Sequence, residues 1–570
     1  QGQVVTAEKI RNLPTKGLNQ IAATTAGLAS VDGSTPTIRG SRSNATDYYI
    51  DGIRVSGRII PQTEIDQLQV ITGGLEAQYG DVTGGIIAIT TKGPSSKYSA
   101  YAEIETSELT DAYGYTLANL TGSGPIVKNS QGQTVLGFRL ASQFLFNRDN
   151  TPAATGTYRA TESAINNIGA NPVLAVGNSR IPAGEYLLEN QDVFLEETNP
   201  NEESTNIDLT AKIDARLSKS VDISVTGTFN DFSDRFTPSS AWRLLNWVNN
   251  PLTYGNTYRG LFRLRHRLGG GSSGQDGKSS VIRNASYTLQ FGYERRNTGT
   301  EDWRHGDNIF NYGYVGDFQY DYEPSLSVKR VGQDVIYSNA NCPFGVFNGA
   351  PCFEHGGYAI NLTGYNPSNI NQVLANYNNG FIGSGEQLDI NAFNAINGSL
   401  ANNVSNLWLN IHNNAGLVYN SFNKTQNDRI TLLANSSFDF LPGGSDRGRH
   451  NIQFGFMYEQ RVSRFWAAAP NGLWTLARLK SNDHIIGVDT TQIIGQFEQD
   501  GFVYDEFKTL ISPGADDKFY REIRKVVFSD MDLDDAVHLY VNTDGLDPSD
   551  LAIGMFSARE LNDQGVIGYR

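Results

Sequence analysis

The only two cysteines of the 570-residue chain stand ten apart, in Asn341-Cys342-Pro343-Phe344 and Pro351-Cys352-Phe353. In an exported protein a pair this close reads as a disulfide stapling a loop tip, worth roughly 2–3 kcal/mol against the open loop. Free buried thiols and half a metal site are the alternatives, with His355 the one nearby histidine. Further on, Asp530-Met531-Asp532-Leu533-Asp534-Asp535 has the alternating opening of a calcium loop, since a hard cation needs several carboxylate oxygens within a few residues. Asp535 stands where that loop needs glycine and Val541 where it needs glutamate, so a solvated acidic face is the competing reading. Asn542, Asp544, Asp547 and Asp550 offer oxygens from the next turn. There is no His-Glu-x-x-His, Gly-x-Ser-x-Gly or Gly-Lys-Ser loop, and the seven histidines do not cluster along the chain. Nothing here reads as an enzyme.

The elements that must carry these residues are strands. From Lys97 onward apolar and polar residues alternate over segments of about ten residues separated by turns. They run over Tyr98–Thr106, Tyr113–Gly122, Leu136–Phe146, Ile207–Leu217, Val221–Phe232, Tyr258–Leu268, Val281–Arg295, Ile430–Phe440 and Asn451–Val462. Arg263, Arg265 and Arg267 alternate with Leu264, His266 and Leu268, so one face of that strand is basic; it is expected to face a lumen, because arginine facing lipid costs about 2–4 kcal/mol at mid-depth. Leu217-Ser218-Lys219-Ser220-Val221 is a short link, whereas residues 147–205, 298–427 and 465–570 read as long, irregular excursions. Within the last of them, Ala552–Leu561 reads as a helix capped near Ser549 or Asp550.

Before the alternation begins, the run Pro36–Lys92 holds short β-branched strands punctuated by glycine. Val70-Ile71-Thr72 and Ile86–Thr91 read as buried strands, and Leu75–Gly80 as one helical turn stopped by glycine. Gly73, Gly74, Gly80, Gly84 and Gly85 suit places where backbone approaches backbone or φ is positive. The landmarks Arg39-Gly40, Asp51-Gly52, Ile65–Val70, Gly74 with Tyr79-Gly80, and Gly84-Gly85 leading to Thr91-Lys92, in that order, resemble the plug domain of TonB-dependent outer-membrane transporters. Leu13-Pro14 ahead of Leu18–Ile21 looks like the entry to that plug.

The resemblance implies an all-β membrane protein: a 22-stranded antiparallel transmembrane β-barrel plugged by a small α+β domain, with residues 1–96 as plug and 97–570 as the N-terminal part of the barrel. Only roughly nine to eleven strand candidates follow residue 96, and an open half-barrel would leave unsatisfied edges in lipid, so a longer polypeptide is expected. Met555–Leu561 is similar to Oar-like members of the family. Arg39, Gly40, Arg42, Asp51 and Gly52 become expected plug–barrel contacts, with Arg39, Arg42, Arg54 and Arg58 pairing with carboxylates of the inner wall; for Arg42, Arg54 and Arg58 the alternative is an exposed loop charge. Gly73, Gly74, Tyr79, Gly80, Gly84, Gly85 and Lys92 carry the plug motif. The function implied is active transport across the outer membrane of a Gram-negative bacterium, driven by TonB with its inner-membrane motor complex. A structural or accessory plugged-barrel subunit of an outer-membrane assembly is the alternative. Partners would be TonB, lipid and lipopolysaccharide, with other outer-membrane proteins or a surface lipoprotein as further candidates. Calcium at Asp530, Asp532 and Asp534 is the only cofactor that the residues suggest.

Composition is compatible with this. Only 39 % of residues are hydrophobic and mean hydropathy is −0.37, yet 59 Gly, 27 Tyr and 28 Phe suit aromatic strands closed by tight turns. No apolar stretch is long enough for a transmembrane helix, which leaves strand-crossing open. The net charge of −15, from 60 acidic and 45 basic residues, argues against a nucleic-acid partner. Gln1-Gly2-Gln3 shows no basic segment followed by an apolar one, so the chain reads as mature or trimmed.

Overall fold

The computed structural model describes residues 2–31, 33–56, 60–74, 79, 82–177, 179–268, 281–337, 352–381, 395–400, 414–442, 448–499, 502–513, 517–563 and 567–569. The N-terminal strands are β1 (Gly2–Thr6), β2 (Thr46–Ile50), β3 (Ile53–Val55), β4 (Ile65–Ile71) and β5 (Gly85–Thr91), joined in the order β1-β4-β5-β2-β3. Of these pairings only β2 with β5 is parallel. Two short helices, α1 (Ala7–Arg11) and α2 (Leu18–Ala23), bring Ile10 and Ile21 onto a core of Val5, Ile50, Ile65, Leu68, Val70, Ile87 and Ile89. The central strand β5 is buried from Gly85 to Ile87 and again at Ile89, with Ala88 half-buried and Thr90 exposed, which is why its first five residues read as an unbroken apolar run. Gly84 and Gly85 open it because nothing larger fits: a Cβ on Gly84 would lie 2.6 Å from the Ala45 carbonyl, and one on Gly85 2.6 Å from Ile38 Cδ1. Of the expected turn Leu75–Gly80 only Tyr79 is among the described residues; its ring meets Tyr49 edge-on at 5.1 Å.

Beyond this domain stands a wall of antiparallel strands, each beside its neighbour in sequence. They are β6 (Ser99–Thr106), β7 (Thr116–Lys128), β8 (Thr134–Asn147), β9 (Ser204–Arg216), β10 (Val221–Arg235), β11 (Leu252–Arg267), β12 (Ile282–Glu301), β13 (Phe422–Phe440) and β14 (His450–Ala468). Ile567–Tyr569 adds a short tenth strand beside β14. Register sorts the two faces. Ile213, Val225, Phe262, Phe291, Leu432 and Tyr458 form one cross-strand row on the outside, all between 39 % and 48 % exposed. One residue along each strand, Lys212, Thr226, Leu261, Gly292 and Thr431 form a row turned inward. An apolar outer row beside an inner one that carries Lys212, Thr226 and Thr431, with Leu261 packed on the core of the N-terminal domain, is the pattern of a strand wall with lipid outside and a largely polar interior. Arg263 and Arg265 share the parity of Leu261 and so lie on the inner side, as expected.

The ends of the wall differ. Residues 129–133, 217–220, 268–281 and 441–449 link strands at one end, and 107–115 with the longer 148–203, 236–251 and 302–421 at the other. The long excursions begin later than expected, since β8 runs to Asn147, β12 to Glu301 and β14 to Ala468. Strand continues there through residues such as Asn423–Asp428, which are polar on both faces and give no alternation. Nor are the excursions irregular. Gly316–Val328 pairs with Phe353–Pro367, Ile485–Gln499 with Phe502–Ile511, and helices span Glu162–Ala170, Gln372–Phe381, Pro470–Asn482 and Phe519–Val527. Gly316–Val328, Phe353–Pro367 and the helices Gln372–Phe381, Pro470–Asn482 and Phe519–Val527 share a core of Phe310, Tyr312, Phe318, Tyr377, Trp474 and Phe519 among others, while Glu162–Ala170 packs in a separate cluster with Leu244, Leu245 and Ala415; together they form an outer layer over the wall. The helix expected over Ala552–Leu561 is two pieces: a 3-10 turn at Ile553–Met555 and a helix at Ala558–Asp563. Ser557 and Glu560 make a reciprocal capping box, the Ser557 N–H donating to Glu560 Oε2 at 2.6 Å and the Glu560 N–H to Ser557 Oγ at 3.3 Å, so the helix starts after Ser557.

Candidate functional site: the interface between plug and wall

The N-terminal domain touches the wall through side chains that are buried and charged. A 3-10 turn, Gln62–Glu64, sets Glu64 just ahead of β4 with its side chain 2 % exposed. Arg139 of β8 donates to both its oxygens, from Nε and Nη2, each at 2.7 Å. The neighbouring Lys92 donates from Nζ to the Thr63 carbonyl at 2.7 Å; burial first, then the Arg139 guanidinium, pushes this ammonium below the usual lysine range.

A second anchor is the turn between β2 and β3. Asp51 and Gly52 have φ of 48° and 92°, the paired positive values that a two-residue type I′ hairpin requires. The turn aims the Asp51 carboxylate at Thr91, which donates from its N–H at 3.0 Å and its hydroxyl at 2.6 Å. Lys212 of β9 completes the group, 3.4 Å from Asp51 Oδ2 and donating to Thr91 Oγ1 at 2.6 Å. Gln290 of β12 donates to the Asp51 carbonyl at 2.8 Å, and a Cβ on Gly52 would stand 3.2 Å from its Oε1. Gly52→Ala should therefore lower the stability of this domain by about 1–2 kcal/mol, through positive φ and crowding of Gln290, as measured by chemical denaturation of the purified protein.

The third anchor holds Ser56. Its N–H donates to Glu294 Oε2 of β12 at 3.1 Å, its hydroxyl to Glu294 Oε1, and its carbonyl accepts from Arg259 Nη2 of β11. Arg259 and Glu294 also pair with each other at 2.6 Å. Lys16, in the lead-in to α2, adds a more exposed contact to Glu103 of β6 at 3.1 Å.

The direction of the pairing differs from the expectation. In the Glu64 and Asp51 anchors the inner wall supplies cations and the plug supplies carboxylates. Arg54 pairs within its own domain with Asp47 at 2.6 Å, Arg42 is exposed, and Arg39 turns back against Gly73. The reason is geometric: Arg39-Gly40 forms a tight turn on the plug itself, with both φ positive and the Ser41 N–H donating to the Ile38 carbonyl at 2.9 Å. Asp51 and Gly52 are the expected contacts that do meet the wall. Gly74 has φ of 69°, while Gly80 and Arg58 lie outside the described residues. Glu64, Ser56, Arg139, Lys212, Arg259, Gln290 and Glu294 were not singled out from sequence. For Arg139 and Lys212 the signal is a lone charge at an inward position of an apolar strand, in Phe138-Arg139-Leu140 and Ala211-Lys212-Ile213.

The other candidates lie in the outer layer. Cys352 is buried and disulfide-bonded, and Cys342 lies outside the described residues. Asp532 caps the short helix Leu533–Ala536 by accepting from the Asp534 N–H at 2.9 Å. Among the described residues no three His, Cys, Asp or Glu converge as metal ligands, around Asp530, Asp532 and Asp534 or elsewhere.

A small mixed sheet is pinned by ion pairs and hydrogen bonds to the inner face of an antiparallel strand wall. Residues 2–86 match the family model TonB-dependent Receptor Plug Domain. The family model covers this N-terminal domain alone, so residues 2–86 are a plug domain of the TonB-dependent receptor kind. Among solved structures it is similar to the siderophore receptor PirA from Acinetobacter baumannii, at 11 % identity over 82 % of this chain and 53 % of that one, with a TM-score of 0.37. It is also similar to the ferripyoverdine receptor of the outer membrane of Pseudomonas aeruginosa, at 10 % identity over 82 % of this chain and 43 % of that one, with a TM-score of 0.41. The chain thus spans about half the length of these receptors. No curated protein matches the sequence. None of the comparisons singles out the Oar-like subgroup.

Proposed function

We propose that the chain is the plug (residues 1–96) and part of the barrel with its outer loops (97–570) of an active transporter, in which TonB and its inner-membrane motor pull on the N-terminal segment and the plug rearranges to open a path. One observation supports this above the rest: the plug is gripped by discrete ion pairs and hydrogen bonds to a polar inner wall, at Glu64, Asp51 and Ser56. Such a grip is geometrically specific, and it yields once its few contacts part and water enters. The place of β1 also suits the reading. Among the described residues it is the edge of the plug sheet, paired with β4 alone, so a pull at the N-terminus peels it away pair by pair while the anchors at Glu64 and the Asp51 turn still hold. Lipid and lipopolysaccharide are the partners that the outer apolar rows would meet. Single-molecule pulling from the N-terminus of the receptor in a bilayer tests the reading. The expected record shows β1 and then further plug segments extending while the wall stays intact. Wall strands unravelling first, or the plug leaving as one rigid piece, would contradict it.

A further inference from the structure

Histidines scattered in the sequence meet along one seam of the outer layer. There the hairpin of Ile485–Gln499 and Phe502–Ile511 lies against Phe353–Pro367 and the segment 533–541. At its root, the His484 carbonyl accepts from the Ser512 N–H at 2.8 Å. The His484 ring lies on Tyr520 at 4.0 Å, and its Nε2 donates to the Val537 carbonyl at 2.9 Å. Its Nδ1 is buried with no hydrogen-bond partner among the described residues. His355, 2 % exposed, receives the Phe507 N–H on Nδ1 at 3.5 Å and stacks on the Phe507 ring. His538 places Nδ1 3.0 Å from the Thr509 carbonyl, and the Thr509 hydroxyl donates back to the His538 carbonyl at 2.8 Å. Three imidazoles from three elements therefore fix the root and the second strand of one hairpin.

We propose that this hairpin is an acid-released flap on the outer surface, held closed by three neutral imidazoles and freed when they take up protons. A proton added to His484 Nδ1 would sit on a buried atom without an acceptor, beside the Arg524 guanidinium, which already donates to the Ala536, Ser481, Tyr520 and Leu539 carbonyls. The other charged or titratable groups facing the seam are Asp483 and Tyr520 at His484, Glu506 and Tyr358 at His355, and Lys508 and Asp535 at His538. The Glu506 carboxylate is engaged by the Tyr358 hydroxyl at 3.1 Å. Burial pulls His484 down to about 4 and lowers His355 and His538 as well. A base whose folded value is depressed holds fully above its ordinary value near 6.5; the hold weakens as pH falls from there through about 4.

Hydrogen exchange of the receptor in lipid nanodiscs, corrected for intrinsic rates, tests this at about pH 7.5 and about pH 4. Opening of 485–511 should rise about tenfold or more on acidification while β9–β12 change by less than about twofold. A variant combining His355→Phe, His484→Phe and His538→Gln should lose that response. A flap equally protected at both pH values, or an acid response that persists in the variant, would overturn the proposal. Should the variant fail to fold, histidine C2–H exchange on the unaltered protein reads the titration of His484 directly, and a value at or above the ordinary one would equally overturn it.

Discussion

Glu64→Ala is expected to loosen the plug by about 3–5 kcal/mol, because it strands the Arg139 guanidinium inside the lumen with its counter-charge gone. The two side chains are 2 % and 12 % exposed and share two parallel hydrogen bonds, so little water is at hand to replace the lost partner. The charge left behind also lies beside Lys92, and among the described residues the Thr63 carbonyl, 3.4 Å from Nη2, is the acceptor that stays within reach. Hydrogen exchange over β4 and β5 should report the change, since Glu64 opens β4 and its carbonyl accepts from the Lys92 N–H at the end of β5. Glu64→Leu combined with Arg139→Leu should recover much of the loss, because removing both charges leaves none buried alone. Unchanged protection in the single variant would show that the pair does not hold the plug.

Trp474→Ala should cost the outer layer a similar amount, about 3–5 kcal/mol. Trp474 is wholly buried, stacks on Tyr314 at 5.4 Å, meets Phe310 edge-on at 5.7 Å, and donates its indole N–H to the Phe310 carbonyl at 2.7 Å. Its loss opens a cavity and leaves that carbonyl without its donor. Exchange should accelerate together in Pro470–Asn482, Phe519–Val527 and the segment around Ile309–Val315, which share this core, while β9–β12 keep their protection. Acceleration confined to the helix that carries Trp474 would mean that the outer layer is not one cooperative unit.

The wall was legible because lipid outside and a polar interior inside impose a period of two, and every segment read as alternating overlaps an observed strand. What escaped was strand with no such contrast: Leu252–Asn256 and Phe422–Arg429 lie in β11 and β13 where neither neighbour environment is apolar enough to mark a face. The outer hairpin Gly316–Val328 with Phe353–Pro367 was hidden for a different reason, since register shifts at Gln319/Tyr320 and Ser325/Leu326 break its alternation. At the plug–wall interface the Asp51-Gly52 turn was visible as a dipeptide. Its partners were not, because Lys212 and Gln290 come from strands far along the chain, and only folding brings them to it.

The outer layer's core has a consequence for how the molecule is made. It draws Ile309–Phe318 from before β13 and Leu473–Phe556 from after β14, and the pairing of Phe422 with Ala468 at the outer ends of those strands brings its halves together. Sequence separations of this size are slow to close. The outer core is therefore expected to set after the β13–β14 hairpin has formed, and to do so late in folding.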